Sequence, residues 1–439
     1  MSSTDRMLAT VSETAWVQAM LDVEAALARA AARAGVIPSE AADQIAVHCK
    51  VAEFDVAQLG RDAVRSANPV VPLVDALRAA VPKEVASFVH YGSTSQDILD
   101  SAMMLIARQG LDIVSADLER AAAAAASLAD THRSTLMAAR TLMQQASVTT
   151  FGLKAAGWLN ALVEARAELV RVRRARLALQ FGGAAGTLAS LFDRGLEVMA
   201  ALAAGLELPQ PTLPWHTARA RVVEVANALG IAAGVAGKVA LDVVLMAQTE
   251  VGEVSEAGGG GSSTLPQKHN PVQAIAILAT VRGANAHVAL LQAAMLQEHE
   301  RAAGAWQAEW PALSETLRLA GGAVSRLADL LSGLQVHPQR MRHNLEGTGG
   351  LIMAEAVVTA IGKRVDRMTA RKLIDAALAT AAAGGRPFAE VLQQDSAIAA
   401  YLTPGQLAQA LDPANYVGAC GPLIDRALEA HRQQAKGDG

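Results

Sequence analysis

Glu256-Ala257-Gly258-Gly259-Gly260-Gly261-Ser262-Ser263-Thr264-Leu265-Pro266-Gln267-Lys268-His269-Asn270-Pro271 lies between two long apolar segments of the chain. Four consecutive glycines free the backbone to take positive φ. Two serines, a lysine and an asparagine follow within nine residues. Asn270-Pro271 reads as a helix start, with Asn270 as N-cap, Pro271 at the first helical position and Gln273 completing a capping box. A polar loop is therefore expected to run into a helix that begins at residue 271. The plainer reading is a Gly/Ser linker between two helices. A linker, however, has no need of Lys268 and Asn270 beside a helix N-terminus, which attracts anions.

The flanks set the architecture. Residues 219–256 read as one long helix, apolar nearly all round from Ile231 to Met246 except at Lys238 and Asp242. A second apolar helix is expected to run on to residue 297. Helices of this kind belong in the middle of a bundle. Over the 439 residues, apolar side chains make up 52%, charged ones 18% and aromatics 3%, which leaves little charge to cover a monomer's surface. Whole helices are therefore expected to be buried in an oligomer. Lys238, Asp242 and Arg282 interrupt the apolar segments, so neither is read as a membrane span. A net charge of −4 gives no nucleic-acid footprint. Cys49 and Cys420 are too few for a disulfide framework, which suits a reducing compartment. No apolar run of signal-peptide type follows Met1-Ser2-Ser3-Thr4-Asp5-Arg6. The expectation is a cytoplasmic protein without nucleic-acid or membrane partners.

Working outward, residues 14–34 show a helical stripe of Trp16, Met20, Val23 and Leu27. In His90-Tyr91-Gly92-Ser93-Thr94-Ser95-Gln96-Asp97, Thr94 and Asp97 form a capping-box pattern. The hydroxyls there can cap a helix, bind an anion, or both. An Ala-rich helix is expected at 111–131 and another at 151–179. Between them Ala139-Arg140-Thr141-Leu142-Met143-Gln144-Gln145-Ala146 is polar, and Arg140 could fork onto a carboxylate or be a solvated residue at a helix entry. Phe181-Gly182-Gly183 follows no strand and precedes no P-loop lysine, so close backbone packing suits it better than a nucleotide cradle. His216 follows Pro214-Trp215 in a loop, where it could face a ligand or merely occupy the turn. Glycines 347, 349 and 350 mark a change of composition near 345, and Thr403-Pro404 and Asp412-Pro413 read as helix starts. No strand run stands out. The expected organisation is all-α, with an N-terminal helical domain (1–105), a central long-helix domain (106–345) and a small C-terminal helical domain (346–439).

Gly261-Ser262-Ser263-x-x-Pro266-x-Lys268-x-Asn270 resembles the signature loop of the fumarase/aspartase superfamily, whose members make or break a bond β to a carboxylate. Ser93-Thr94-Ser95-Gln96-Asp97 resembles that family's first site segment, and Arg140-Thr141 with Gln144 and Ala146 its second. Order and spacing agree over essentially the full chain. The resemblance implies an all-α, three-domain fold whose long central helices form a core of about 20 helices in a homotetramer with shared active sites. Leu179-Gln180-Phe181-Gly182-Gly183-Ala184, Pro214-Trp215-His216-Thr217, Gln248-Thr249-Glu250 and Gln297-Glu298-His299-Glu300-Arg301 are similar to the lactonising branch. So are Trp306, Ala308-Glu309-Trp310 and Leu411-Asp412-Pro413-Ala414-Asn415-Tyr416. That branch closes a lactone from a tricarboxylate diene and uses neither metal nor cofactor.

The resemblance implies Ser262, Lys268 and Asn270 as catalytic residues. It implies His90, Ser93, Thr94, Ser95, Arg140, Thr141, Gln144, His216, Gln248 and Arg301 as substrate-binding residues. Two positions depart from related sequences. Leu142 stands where many of these lyases carry a histidine associated with protonating a leaving nitrogen. A carboxylate, with a pKa near ~4, leaves or attacks without a proton. The loss is awkward for an amine-releasing lyase and harmless for a lactonising enzyme. His269 stands where related loops often have a more basic residue. The rival readings are a β-elimination lyase that releases fumarate, of the adenylosuccinate lyase kind, and a non-catalytic helical scaffold. Retention of Ser262 and Lys268 argues against the scaffold.

Overall fold

The structure is a computed structural model that describes residues 2–437 apart from Gly259, Ser262 and Ser263. Its longest helices are α1 (Glu13–Arg33), α2 (Ser95–Thr131), α3 (Phe151–Ala175), α4 (Ala220–Met246), α5 (Val272–Ala293) and α6 (Ala305–Ser332). The predicted stripe of α1 is the buried one, with Met20, Val23 and Leu27 in the core. Ser12 caps α1, its Oγ accepting the Ala15 N–H at 3.1 Å. The segments expected as separate helices after Thr94 and over 111–131 are one helix, α2. Gly110 does not break it. A Cβ there would stand 2.5 Å from Leu317 Cδ2, so this glycine is a packing choice.

Two compact units are present. The first comprises Met1–Glu119, Glu164–Lys238 and Ala276–Leu327. Within it, α4 and α5 approach closely at glycines: Gly230 backs onto Val288 and Gly237 onto Val281. The second comprises Arg120–Val163, Val239–Ile275 and Ala328–Gly439. Its C-terminal helices enclose a core of their own around Val357, Ile361, Ile374, Phe388, Leu392 and Ile398. The helix expected at Thr403-Pro404 is present and carries a complete capping box with Gln406. Asp412-Pro413 opens only a 3₁₀ turn over Pro413–Tyr416.

Among the described residues the fold is all-α apart from three two-stranded antiparallel ribbons in the second unit, which the sequence reading missed. They are β1 (Leu136–Thr141) with β2 (Gln144–Thr150), β3 (Val254–Glu256) with β6 (Leu334–Val336), and β4 (Gly260–Gly261) with β5 (His269–Asn270). The β1–β2 hairpin hides for two reasons. Ala138, Ala139 and Ala146 dilute any period-2 pattern. Its two-residue turn is Leu142-Met143, at φ +48° and +68°, where Asn-Gly is the usual signal.

The helix expected across 219–256 stops at Met246. Gly252 adopts φ +60°, and the chain leaves the helix because its carbonyls find other partners. Arg340 Nε and Nη2 donate to Val251 O and Glu250 O at 3.0 and 2.7 Å, and Asn344 Nδ2 donates to Val251 O at 2.8 Å. Likewise α3 ends at Ala175 rather than 179, and α5 at Ala293 rather than 297. By length and apolarity alone, α4 and α5 would reach across a membrane. Half of the apolar window of α4 and a third of that of α5 is buried inside this chain. Ile231, Leu241, Ile275 and Leu290 stay exposed on them.

Candidate active site

In the first unit the predicted residues gather around Asp97. Its carboxylate accepts the Thr94 N–H at 3.0 Å, which is the backbone half of the predicted capping box. It also accepts the N–H groups of Gly182 and Gly183 at 3.0 and 2.8 Å and Gln180 Nε2 at 3.1 Å. The glycine pair is required for this approach. A Cβ on Gly182 would lie 2.8 Å from His216 Cε1, and Gly183 sits at φ +70°. His216 is buried, with Nε2 2.7 Å from Asp97 Oδ1. When its ring is neutral, the proton on Nε2 faces Asp97 and the lone pair is on Nδ1.

His90 lies beside this cluster at φ +65°, a strained position that costs about 1–3 kcal/mol. Its Nδ1 is 2.5 Å from Oε1 of the buried Glu24. Burial alone would push the imidazole down. The Glu24 carboxylate outweighs burial and raises it above the ordinary histidine range. Ser93 Oγ donates to His90 O at 3.1 Å, and Ser95 is the first residue of α2. Arg301 donates from Nη2 to Ala184 O at 2.8 Å and from Nη1 to Gln96 Oε1 at 3.3 Å.

Beneath these residues is a buried charge cluster. Arg219 is fully buried and donates to both Asp100 (2.6 and 3.0 Å) and Glu309 (2.5, 3.0 and 3.1 Å). Trp306 Nε1 donates to Asp100 Oδ1 at 3.0 Å, and Gln297 Nε2 to Glu309 Oε1 at 3.0 Å. Burial pushes the Glu309 carboxyl above its ordinary range despite these donors. For Arg219, burial acts to lower the guanidinium, but Asp100 and Glu309 more than offset it and keep it charged.

The second unit holds Arg140. Register slips between Ala139 and Arg140, and this bulge re-aims the arginine. Nη2 and Nη1 then fork onto Glu253 Oε1 and Oε2 at 2.7 and 2.9 Å. The predicted carboxylate fork therefore exists, and its acceptor belongs to the chain itself. Glu253 is fully buried and also accepts Asn344 Nδ2 at 2.9 Å. Arg140→Lys cannot reproduce the fork. It is expected to lower kcat/KM and to destabilise the protein by about 1–3 kcal/mol. A variant with wild-type melting and kinetics would reduce Arg140 to a surface residue. Thr141 and Gln144 pair across the hairpin end, both exposed. Gln248 is exposed just beyond α4 and donates to Leu245 O at 2.9 Å.

The predicted cap of α5 is corrected. Helix α5 begins at Val272, one residue later than expected, and Asn270 is in β5. The capping group is Glu256, whose carboxylate accepts the N–H groups of Gln273 and Ala274 at 3.0 and 2.8 Å. An internal anion thus satisfies this helix N-terminus. Gly260 backs directly onto the Val272 side chain, and of Gly258, Gly260 and Gly261 only Gly258 uses positive φ. Lys268 is exposed, its N–H bonded to Leu265 O at 3.0 Å. Asn270, Gln267, His269, Ser255 and His337 line a cavity of about 620 Å³. Ser262, the predicted proton carrier, lies outside the described residues, as does Ser263.

Glu24, Gln96, Glu253, Glu256 and Asn344 hold the site residues, and the sequence reading gave none of them a role. Glu253 and Glu256 were read as the polar end of a helix. Gly252 directly before them was the available sign that the helix stops.

Comparison with known proteins follows the same outline. Residues 1–285 match the family described as Lyase, and residues 350–427 match Adenylosuccinate lyase C-terminus. The 3-carboxy-cis,cis-muconate cycloisomerase of Bradyrhizobium diazoefficiens is 48% identical over 98% of this chain and 97% of its own. The nitrosuccinate lyase of Streptomyces davaonensis is 44% identical over 96% of this chain and 91% of its own. The crystal structure of the 3-carboxy-cis,cis-muconate lactonizing enzyme from Pseudomonas putida superposes with a TM-score of 0.94 at 38% identity, covering 99% of this chain and 98% of that one.

Proposed function

The chain belongs to the fumarase/aspartase family of lyases, and from that membership we propose that it converts 3-carboxy-cis,cis-muconate to 4-carboxymuconolactone, a step of protocatechuate degradation. The observation that carries this reading is the near full-length identity to an enzyme named for that reaction. Leu142 at the tip of the β1–β2 hairpin supports it chemically, since a carboxylate nucleophile needs no proton from that position.

In this mechanism a substrate carboxylate adds to the conjugated double bond. Negative charge develops on a neighbouring carboxylate as an aci-carboxylate. Lys268, Asn270 and the loop N–H groups stabilise that charge. Ser262 delivers the proton to carbon, activated by loop dipoles and Lys268. With sites shared between copies, as the resemblance implies, the remaining carboxylates fall to Thr94, Ser95, Thr141, Gln144 and Arg301, and Arg140 is left only the donors that its fork onto Glu253 does not use.

The exposed apolar residues of α4 and α5 fit a homotetramer in which these helices are covered by other copies. Light scattering is expected to give four chains, and a stable, active monomer would remove this part of the reading. The two free, buried cysteines, Cys49 and Cys420, suit a cytoplasmic enzyme. The test of function is to incubate the protein with 3-carboxy-cis,cis-muconate and follow loss of its conjugated ultraviolet absorbance. Fumarate release from a succinyl-type substrate, with no loss of diene absorbance, would assign the chain to a β-elimination reaction instead.

A further inference from the structure

Gln96 is fully buried, and its amide orientation is dictated by chemistry. Its Nε2 lies 3.1 Å from Asp100 Oδ2 and 2.7 Å from His216 O, and both are acceptors only. Turning the amide over would set Oε1 against a carboxylate and a carbonyl. Oε1 must therefore point the other way, where it accepts from Arg301 Nη1. Asp100 is itself immobilised by Arg219 and Trp306. Fixed contacts thus run from Arg219 through Asp100 and Gln96 to Arg301.

Arg301 is grasped only by neutral oxygens among the described residues, those of Gln96 and Ala184. Arg140 differs, because the Glu253 carboxylate offsets its charge. A guanidinium oriented by two neutral acceptors keeps its full attraction for an external anion and has already lost its rotamer freedom. We propose that Gln96 is a positioning residue that aims Arg301 at a substrate carboxylate while leaving its charge uncompensated. A glutamate at this position would hold Arg301 equally well but neutralise it, and would repel Asp100.

The proposal rests on the tricarboxylate reading above, and its test is a double-mutant cycle. Gln96→Met, with similar volume but no acceptor, is expected to raise KM about 10-fold or more with kcat within a few-fold. On an Arg301→Ala background the same change is expected to alter KM by less than about 2-fold. Gln96→Glu is expected to raise KM in the same Arg301-dependent way, with partial recovery as pH falls and the new carboxyl is protonated. On the Arg301→Ala background that recovery is expected to vanish, whereas relief of a merely structural repulsion from Asp100 would persist. Gln96→Glu also serves if Gln96→Met fails to fold. Equal effects with and without Arg301 would overturn the proposal. A crystal structure of Gln96→Met gives a readout independent of substrate. Displacement of the Arg301 guanidinium in Gln96→Met supports the assignment, and an unmoved guanidinium overturns it. Failure of the wild type to consume the muconate would overturn the substrate reading alone and leave the crystallographic arm to decide Gln96.

Discussion

Ser262→Ala is expected to lower kcat by about 10²–10⁴-fold with KM little changed. The reason is a division of labour. Carboxylate binding is spread over several arginine, hydroxyl and amide groups, whereas proton delivery to carbon rests on one hydroxyl in the proposed mechanism. Removing that oxygen takes away an interaction made in the transition state and leaves ground-state contacts in place. The fold should survive, because the replacement buries no new polar group. Stopped-flow measurement of diene loss, with circular dichroism as the control, reads both halves. Normal turnover by Ser262→Ala would move the proton donor elsewhere, with His216 and His299 next in line. Leu142→His is the companion variant. An attacking carboxylate has no proton to exchange, so the added imidazole is expected to leave lactonisation no faster. A faster Leu142→His enzyme would remove the best chemical support for a carboxylate nucleophile.

Arg219→Met is expected to destabilise the protein by about 3–5 kcal/mol. Among the described residues the guanidinium is the one cation bonded to both Asp100 and Glu309, and all three groups are buried. Without it two carboxylates remain in a low-dielectric site with Gln96, Gln297 and Trp306 as their side-chain donors among the described residues. The sign of the pH dependence follows. Burial already raises the Glu309 carboxyl, and loss of Arg219 raises it further. An acid whose folded pKa exceeds its unfolded value binds more protons when folded, so stability falls as pH climbs from the unfolded value through the folded one. The deficit of Arg219→Met should therefore be largest at neutral pH and shrink in acid. Urea unfolding at pH 5 and pH 8 checks this. A variant as stable as wild type at pH 8 would show that the cluster contributes no net stability.

The parts legible in the sequence were those written in neighbouring residues. Helix α1 announced itself through its apolar stripe. The helix start after Thr94, the one at Thr403-Pro404 and the apolar character of α4 and α5 were readable in the same way. What escaped depends on residues far apart in the chain. Asp97 looked like a helix cap because its partners Gly182, Gly183 and His216 are 85 or more positions away. Arg140 looked solvated because Glu253 is 113 positions on. The hairpin was hidden by a turn built on Leu142 and Met143, 97% and 70% exposed, in backbone conformations that glycine or asparagine usually occupies. The resemblance of the loop named the candidate catalytic groups, and long-range pairing decides which of the charged candidates, Arg140 or Arg301, is already compensated.

The Glu256 cap has a consequence for how such a protein can change over evolutionary time. Strand β3 ends at Glu256, and the first turn of α5 is tied to the same carboxylate. The segment between is therefore clamped at its root, like an exchangeable cassette. Apart from Gly260, which backs onto Val272 of α5, its composition can drift without pressing on that helix, and doubling its length would add only about 0.6 kcal/mol of closure entropy. Relatives named for ring closure and for bond cleavage align with nearly all of the present chain, at 48% and 44% identity. Grafting a relative's residues 257–270 between an unchanged Glu256 and Pro271 is the way to transplant chemistry while inheriting stability. A chimera in which Glu256 is also lost should forfeit both.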